Sequence, residues 1–268
     1  MNNSIENTYP LYSYIPSRYA PAIFATIIYI SSIAWLAQSL ISKCRPCILA
    51  IFIFASHFLT FIELVLRSTL NINVLKSKLL YRITAPLLSL SPRLLLLANY
   101  RCLVELRGKE PRQILDRIMD TMIPIGVIIM DSILCIADEL SFHSKRYYLS
   151  FHLRQSSAGF VLGLSIFFFL IWYLSVSYIR RRYLLPLLII SSICILIEAI
   201  YVLAMSIPSL FIILTKSEFY YYVCHLIPIF IALISWSIYH PWRLLPPLES
   251  AVPHDVTGKE LLRRPPSI

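Results

Sequence analysis

The 268-residue chain is 58% hydrophobic and only 14% charged, and its mean hydropathy is +0.72. A soluble domain usually carries about 25% charged residues, so this composition predicts an integral membrane protein. The chain contains neither G-x-x-x-x-G-K-[ST] nor G-x-G-x-x-G, which argues against a pump that uses ATP by itself. Its net charge of +10 lies largely in short loops beside apolar stretches, where basic residues set topology, so no nucleic-acid partner is expected.

Seven stretches are long and apolar enough to cross a bilayer, which takes about 20 helical residues. The predicted fold is therefore an all-α membrane protein, with a seven-helix transmembrane domain over residues 20–242. Pro86 and Pro92 are expected to break the third span, and Pro208 to kink the end of the sixth or begin a re-entrant turn. The predicted spans cover about residues 20–41, 47–66, 83–104, 118–138, 157–179, 183–206 and 219–239.

The loop charges predict the orientation. With the N-terminus outside, the outer segments hold nine Lys and Arg and the inner ones fourteen, and basic residues favour the cytosolic side. We therefore expect residues 1–19 to form an extracellular or lumenal segment without a cleavable signal peptide. Residues 243–268, rich in proline and without an apolar run, are expected to be a disordered cytosolic tail.

Ionisable residues inside the spans are the candidates for function, because a charge in the bilayer costs at least about 2.5–3.5 kcal/mol. On the N-out topology they fall in the middle or outer half of the membrane. We expect them to face one internal polar cavity that is open to the outside or to the outer leaflet, with Arg93 paired to Asp131 or Glu198. The alternative is that they form buried pairs between helices or extend to the interface. The predicted substrate-binding residues are Glu63, Arg93, Asp131, Glu198 and His225.

The aromatic residues near the ends of the seventh span are expected to form interfacial belts. Tyr220, Tyr221 and Tyr222 would lie on the outer side, and Trp236 and Trp242 on the inner side.

A zinc site is the enzymatic alternative, and it would have to draw its ligands from different helices. No H-x-x-x-H or H-E-x-x-H spacing is present, so we expect no metal, no cofactor and no enzyme activity. Cys44 and Cys47 form a single C-x-x-C, which is interpreted as two reduced cysteines of a loop. The zinc ligands would come from His57, Asp131, Ser132 and His225.

Short motifs follow one another in order from about Tyr14 to Trp242. They are Tyr14-Ile15-Pro16-Ser17 before the first span; Glu63; Ser91-Pro92 and Ala98-Asn99-Tyr100; Asp131 and Ser132; Gly159 with Gly163-Leu164; and Glu218, Tyr222-Val223, Pro228 and His240-Pro241 at the end. In this order they resemble the fungal RTA-like family, also called the lipid-translocating exporter family, whose members have seven spans and an external N-terminus.

The chain departs from the family pattern at several charged positions, so it resembles a divergent member. Glu105 stands where an arginine is expected, and Asp138 lies near the place of a glutamine. Glu198 takes the position of the first arginine of an R-x-x-x-R, His225 that of an aspartate, and Trp242 that of a glycine.

The resemblance implies a protein that mediates or promotes the translocation or efflux of lipids such as sphingoid long-chain bases, with resistance to lipophilic toxins. The alternative is a seven-span, receptor-like sensor that signals through cytosolic loops. The implied partners are membrane lipids and amphiphilic small molecules. The plasma membrane is the expected location, with the vacuole or endoplasmic reticulum as alternatives. The implied structural positions are Pro16, Pro92, Tyr100, Gly163, Glu218, Tyr222, Pro228, His240 and Pro241.

Overall fold

A computed structural model describes most of the predicted membrane domain. The predicted tail 243–268, most of the segment 1–19, and the motif residues Pro16 and Pro241 lie outside the described residues. The described residues are 17, 19–41, 47–69, 78–107, 113–141, 143, 146–176, 185–215 and 217–240.

These residues form helices and no strands, so the predicted all-α fold is confirmed. Seven of the helices are long and apolar enough to cross a membrane, which makes the protein an integral, multi-pass membrane protein. A shorter helix, Pro208–Leu214, follows the sixth. The seven are α1 Tyr19–Ile41, α2 Cys47–Thr69, α3 Lys78–Arg107, α4 Gln113–Arg117 continuing through Ile118–Met122 and Ile123–Leu140, α5 Tyr147–Ser175, α6 Leu185–Met205 and α7 Glu218–Ile238.

The third helix is the centre of the bundle. In the 18-residue apolar stretch of Pro86–Arg107, 67% of the residues are buried, the largest share among the seven helices. The helix packs against α2, α4, α5 and α6. The outer helices keep isoleucine on their free faces, for example Ile128 and Ile200. Such residues suit a lipid environment, because acyl chains are as apolar as the side chains themselves.

Of the prolines predicted to interrupt helices, those in α3 do not do so, whereas Pro208 after α6 does. Pro86 and Pro92 lie inside one continuous helix, so the expected break is wrong. Each proline removes only one amide donor, and membrane helices tolerate this where neighbouring helices pack around them. At the end of α6, Ile207 is extended, with φ −97° and ψ 120°, and Pro208 begins the short helix, which confirms the predicted change of direction.

Two wide π turns lie directly before prolines. Ile118–Met122 precedes Pro124 in α4, and Tyr222–Leu226 precedes Pro228 in α7. A proline ring clashes with the carbonyl group one turn earlier, and a π turn widens the helix at that point. The helix irregularity before Pro228 is therefore a π turn.

The fourth helix is attached to its neighbours by charge. Its apolar segment is only 22% buried, yet all four of its aspartates meet an arginine of another helix. Three of those arginines belong to α3 and one to α5. The pairs are Asp116 with Arg107, Asp120 with Arg101, Asp131 with Arg93, and Asp138 with Arg154.

A polar layer of neutral side chains joins α3, α6 and α7. The Asn99 amide nitrogen donates to Ser192 Oγ at 3.0 Å, and its oxygen accepts from Ser191 Oγ at 3.0 Å. Trp236 Nε1 donates to Ser191 Oγ at 3.2 Å, and this tryptophan is fully buried. Its predicted place in an interfacial belt is therefore wrong, because it faces α6; Trp242 lies outside the described residues.

Substitution of Asn99 by leucine is expected to destabilise the bundle. The change removes two hydrogen bonds between α3 and α6, and we expect the free energy of unfolding in detergent to fall by about 1–2 kcal/mol. Ser132→Ala is the matched control, since Ser132 is exposed and bonds only to Ile128 of its own helix. Equal stabilities of the two variants would contradict the role of this layer.

Candidate functional site

A buried histidine lies between two glutamates where α2, α6 and α7 meet. His225 belongs to the π turn of α7 and has no exposed surface. Its Nδ1 lies 3.3 Å from Glu198 Oε1, and its Nε2 lies 3.7 Å from Glu63 Oε2. Both carboxylates are buried, at 2% and 1% exposure, so neither extends to the membrane surface as the sequence alternative allowed.

Glu63 is fixed by two further groups. Arg67 Nε donates to Glu63 Oε1 at 3.0 Å, and the Tyr221 hydroxyl donates to the same oxygen at 2.8 Å. The Arg67 guanidinium also lies 3.7 Å from the centre of the Tyr221 ring. Tyr221 is therefore part of the buried cluster, and its predicted place in an interfacial belt is wrong. We call Glu63, Arg67, Glu198, Tyr221 and His225 the histidine cluster.

A second ionic group lies between α3, α4 and α5. Arg93 pairs with Asp131, as one of the two predicted pairings proposed, and its Nη2 donates to Ser157 Oγ at 2.9 Å. The Arg93 side chain is 3% exposed, whereas that of Asp131 is 23% exposed. Asp131 is therefore the member of this pair that the surrounding lipid can reach. We call Arg93, Asp131 and Ser157 the arginine cluster.

A small gap separates the two clusters. It lies between α3, α5 and α6 and has room for about one water molecule. Arg93 borders it from one side and Glu198 from the other. The lining residues are Ser89, Arg93, Ala158, Val161, Glu198, Ala199 and Val202.

The structure thus brings all five predicted site residues into one half of the bundle, the half nearer the start of α1. Glu63, Glu198 and His225 lie in direct contact, and Arg93 with Asp131 lies across the gap. Within the described residues they form two clusters around a narrow gap, in contrast to the single open cavity expected from the sequence. The helices are close together here, which leaves no room for a lipid headgroup.

Sequence reasoning missed Arg67, Tyr221 and Ser157. The predicted second span ends at residue 66, but α2 continues to Thr69 and carries Arg67. Its spacing of four residues from Glu63 is the signal for an ion pair on one helix face. Ser157 carries no charge, and no spacing in the sequence distinguishes it from the other serines of the spans.

Two other buried histidines, His57 and His240, lie against neutral side chains. His57 Nε2 lies within 3.3 Å of the hydroxyls of Ser31 and Ser237, and His240 packs on Trp35 with a ring separation of 4.2 Å. No group of three or more His, Cys, Asp or Glu among the described residues could hold a metal ion. Cys47 is exposed, and Cys44 lies outside the described residues.

The motif residues of α7 tie it to α1. Both carboxylate oxygens of Glu218 lie 3.0 Å from the backbone nitrogen of Ser17, which donates to them, and the Tyr222 hydroxyl donates to the same carboxylate. His240 follows the last turn of α7 and lies 3.2 Å from Ser39 of α1. These contacts hold both ends of α7 against the first helix.

The motif residues of α3 and α5 have unequal roles. The Tyr100 hydroxyl donates to the carbonyl oxygen of Leu164 at 2.7 Å and so joins α3 to α5. Gly163 is exposed, and a Cβ atom placed on it would meet no atom within 4 Å. This glycine is therefore not needed for close helix packing between the described residues.

Comparison with known proteins finds no relative. No family model matches the chain, and neither a curated protein nor a solved structure matches it significantly.

The Arg93–Asp131 pair is expected to show energetic coupling across α3 and α4. Arg93→Met leaves Asp131 without its partner, so we expect it to destabilise the protein, and adding Asp131→Leu is expected to restore most of the loss. A double-mutant cycle on the free energy of unfolding should give a coupling of about 1–3 kcal/mol.

The control cycle uses Arg101→Met and Asp120→Leu. That pair is more exposed, with 26% and 35% of the side chains accessible, so its coupling should stay below about 1 kcal/mol. Equal coupling in both cycles would contradict a special role of burial at Arg93.

Proposed function

We propose that the protein binds amphiphilic lipids with a basic amine, of the sphingoid long-chain base type, and mediates or promotes their translocation across the membrane. The observation that carries this proposal is a set of carboxylates inside the bundle with one member, Asp131, at the lipid-facing edge. Glu198 and Glu63 lie deeper in the same half.

The chemistry of the ligand follows from these acids. An ammonium group is a compact cation with three hydrogen-bond donors, and carboxylates are its natural acceptors. Asp131 lies beside the outward-facing Ile128 and Ser132. A long-chain base whose tail lies along α4 in the lipid can therefore bring its amine to Asp131.

The order of the charged groups supports a path into the bundle. From Asp131 the path passes Arg93, crosses the gap and reaches Glu198 and His225. The gap must widen for a headgroup to enter, since it now has room for about one water molecule. Ala158 and Ala199 border it, and small residues at a helix contact allow neighbouring helices to shift at low steric cost.

The motif order described above supports the same proposal, because the RTA-like family it resembles is associated with lipid export and toxin resistance. We extend the proposal to an external N-terminus, which puts both clusters in the outer half of the membrane. The plasma membrane is the proposed location. A receptor-like sensor would bind the same ligands without moving them, and the assay below separates the two.

The double variant Asp131→Asn, Glu198→Gln is expected to lose translocation. With purified protein in vesicles, transbilayer movement of a fluorescent long-chain base should fall at least about tenfold, to near the rate of protein-free vesicles, because the amine loses two acidic partners. In cells lacking the protein, the same variant should fail to restore tolerance to long-chain bases.

Asp120→Asn is the matched control, since its carboxylate pairs with Arg101 outside both clusters. It should keep the wild-type rate. A wild-type rate in the double variant would overturn the site, and wild-type protein that binds the base without accelerating its movement would favour the sensor.

A further inference from the structure

The two clusters carry one more acid than base. Their acids are Glu63, Asp131 and Glu198, which is three negative charges. Arg67 and Arg93 give two positive charges. His225 touches two of the acids and balances the third charge only when both of its ring nitrogens carry protons.

An unbalanced charge at this position is costly. Glu63, Glu198 and His225 are each at most 2% exposed, and an uncompensated charge in the membrane interior costs several kcal/mol. The trio therefore favours a state that holds one additional cation. In the arrangement seen here, that cation is a proton.

We propose that Glu63, Glu198 and His225 form a site for one exchangeable cation, which is a proton in the closed bundle and the amine of an amphiphile when it binds. This inference rests on the proposed function and specifies the counter-substrate of the same site. One ammonium enters, and one proton leaves the His225 ring for water. The charge of the site is the same before and after the exchange.

The groups that surround Glu63, Glu198 and His225 do not supply the exchanged proton. Arg67 faces it from α2 and Arg93 faces Glu198 across the gap from α3, and both keep a permanent charge. Tyr201 of α6 and Tyr221 of α7 pack on the His225 ring with centroid distances of 6.3 and 5.2 Å. The tyrosines contribute rings and hydroxyls without a charge.

The hydrogen bonding of His225 shows where the exchange begins. Its Nδ1 is within hydrogen-bonding distance of Glu198, but its Nε2 has no hydrogen-bond partner in the structure. The nearest Glu63 oxygen is 3.7 Å away, which is too long for a hydrogen bond. In the doubly protonated ring the Nε2–H group therefore lacks an acceptor, and its proton is the one that leaves. Once that proton has left, Nε2 can accept a hydrogen bond from the incoming ammonium.

The exchange gives transport an energy source. A proton gradient across the membrane would drive the amine in the direction opposite to the proton, one for one. The exchange of a singly charged amine for a proton moves no net charge, so the membrane voltage alone should not drive it.

The test measures protons released when a fixed cation binds. Dodecylguanidinium is a suitable probe, because it offers N–H donors and keeps its charge at all ordinary pH values. The purified full chain in a neutral detergent is titrated with it in weak buffer that contains a pH dye, with binding followed by calorimetry. We expect about one proton released per cation bound, and an apparent Kd that falls about tenfold for each unit rise in pH.

Three variants complete the test. His57→Gln is the matched control, since this buried histidine contacts serine hydroxyls, and it should keep the wild-type release. Glu198→Gln removes the surplus negative charge, and His225→Arg replaces the exchangeable charge by a permanent one, so both should lose binding and release. Thermal unfolding reports whether each variant is folded.

The outcomes separate the two claims. Binding by the wild type without proton release, at a Kd independent of pH, would overturn the exchange and leave the proposed function standing. No binding by the wild type would overturn both. The proton count on the wild type does not depend on the folding of any variant.

Discussion

A charge in hydrocarbon needs a partner, and this requirement shapes most of the bundle. The four buried arginines of the described spans and the half-buried Arg101 each meet an acid. Four of these pairs fasten α4, whose apolar surface alone buries little against the other helices. In a bilayer the apolar faces gain nothing by leaving lipid for protein, so polar contacts and close packing decide which helices associate. The same requirement makes the one imbalance in the two clusters significant.

That imbalance lies at His225. The Arg93–Asp131 pair and the other salt bridges of α4 each combine one positive and one negative charge, so they carry no net charge. The histidine cluster has two acids and one arginine, and only a second cation completes it. A cluster that only held helices together could be balanced by permanent charges. A site that exchanges a proton for an amine needs one charge that can be replaced. His225 is therefore the residue on which the proposed exchange depends.

Much of the fold could be predicted from the sequence because hydropathy and length depend on local composition. The seven spans and the change of direction at Pro208 follow from such local signals. The cost of charge predicted a partner for Arg93 but did not decide between Asp131 and Glu198. Contacts between helices cannot be predicted from such local signals. Whether Tyr221 faces lipid or Glu63 depends on how α7 rotates against α2, and the π turn before Pro228 sets that rotation. The width of the gap beside Glu198 likewise depends on packing among α3, α5 and α6, which no single span encodes.

The central claim is that an amphiphile enters the gap between the two clusters. A photoreactive long-chain base, bound to the purified protein and mapped by mass spectrometry, tests this directly. Adducts should concentrate on α5 and α6 at Ala158, Val161 and Ala199, and an excess of unmodified base should abolish them. Adducts found only on lipid-facing residues such as Ile128 and Ile197, and unaffected by that excess, would contradict it.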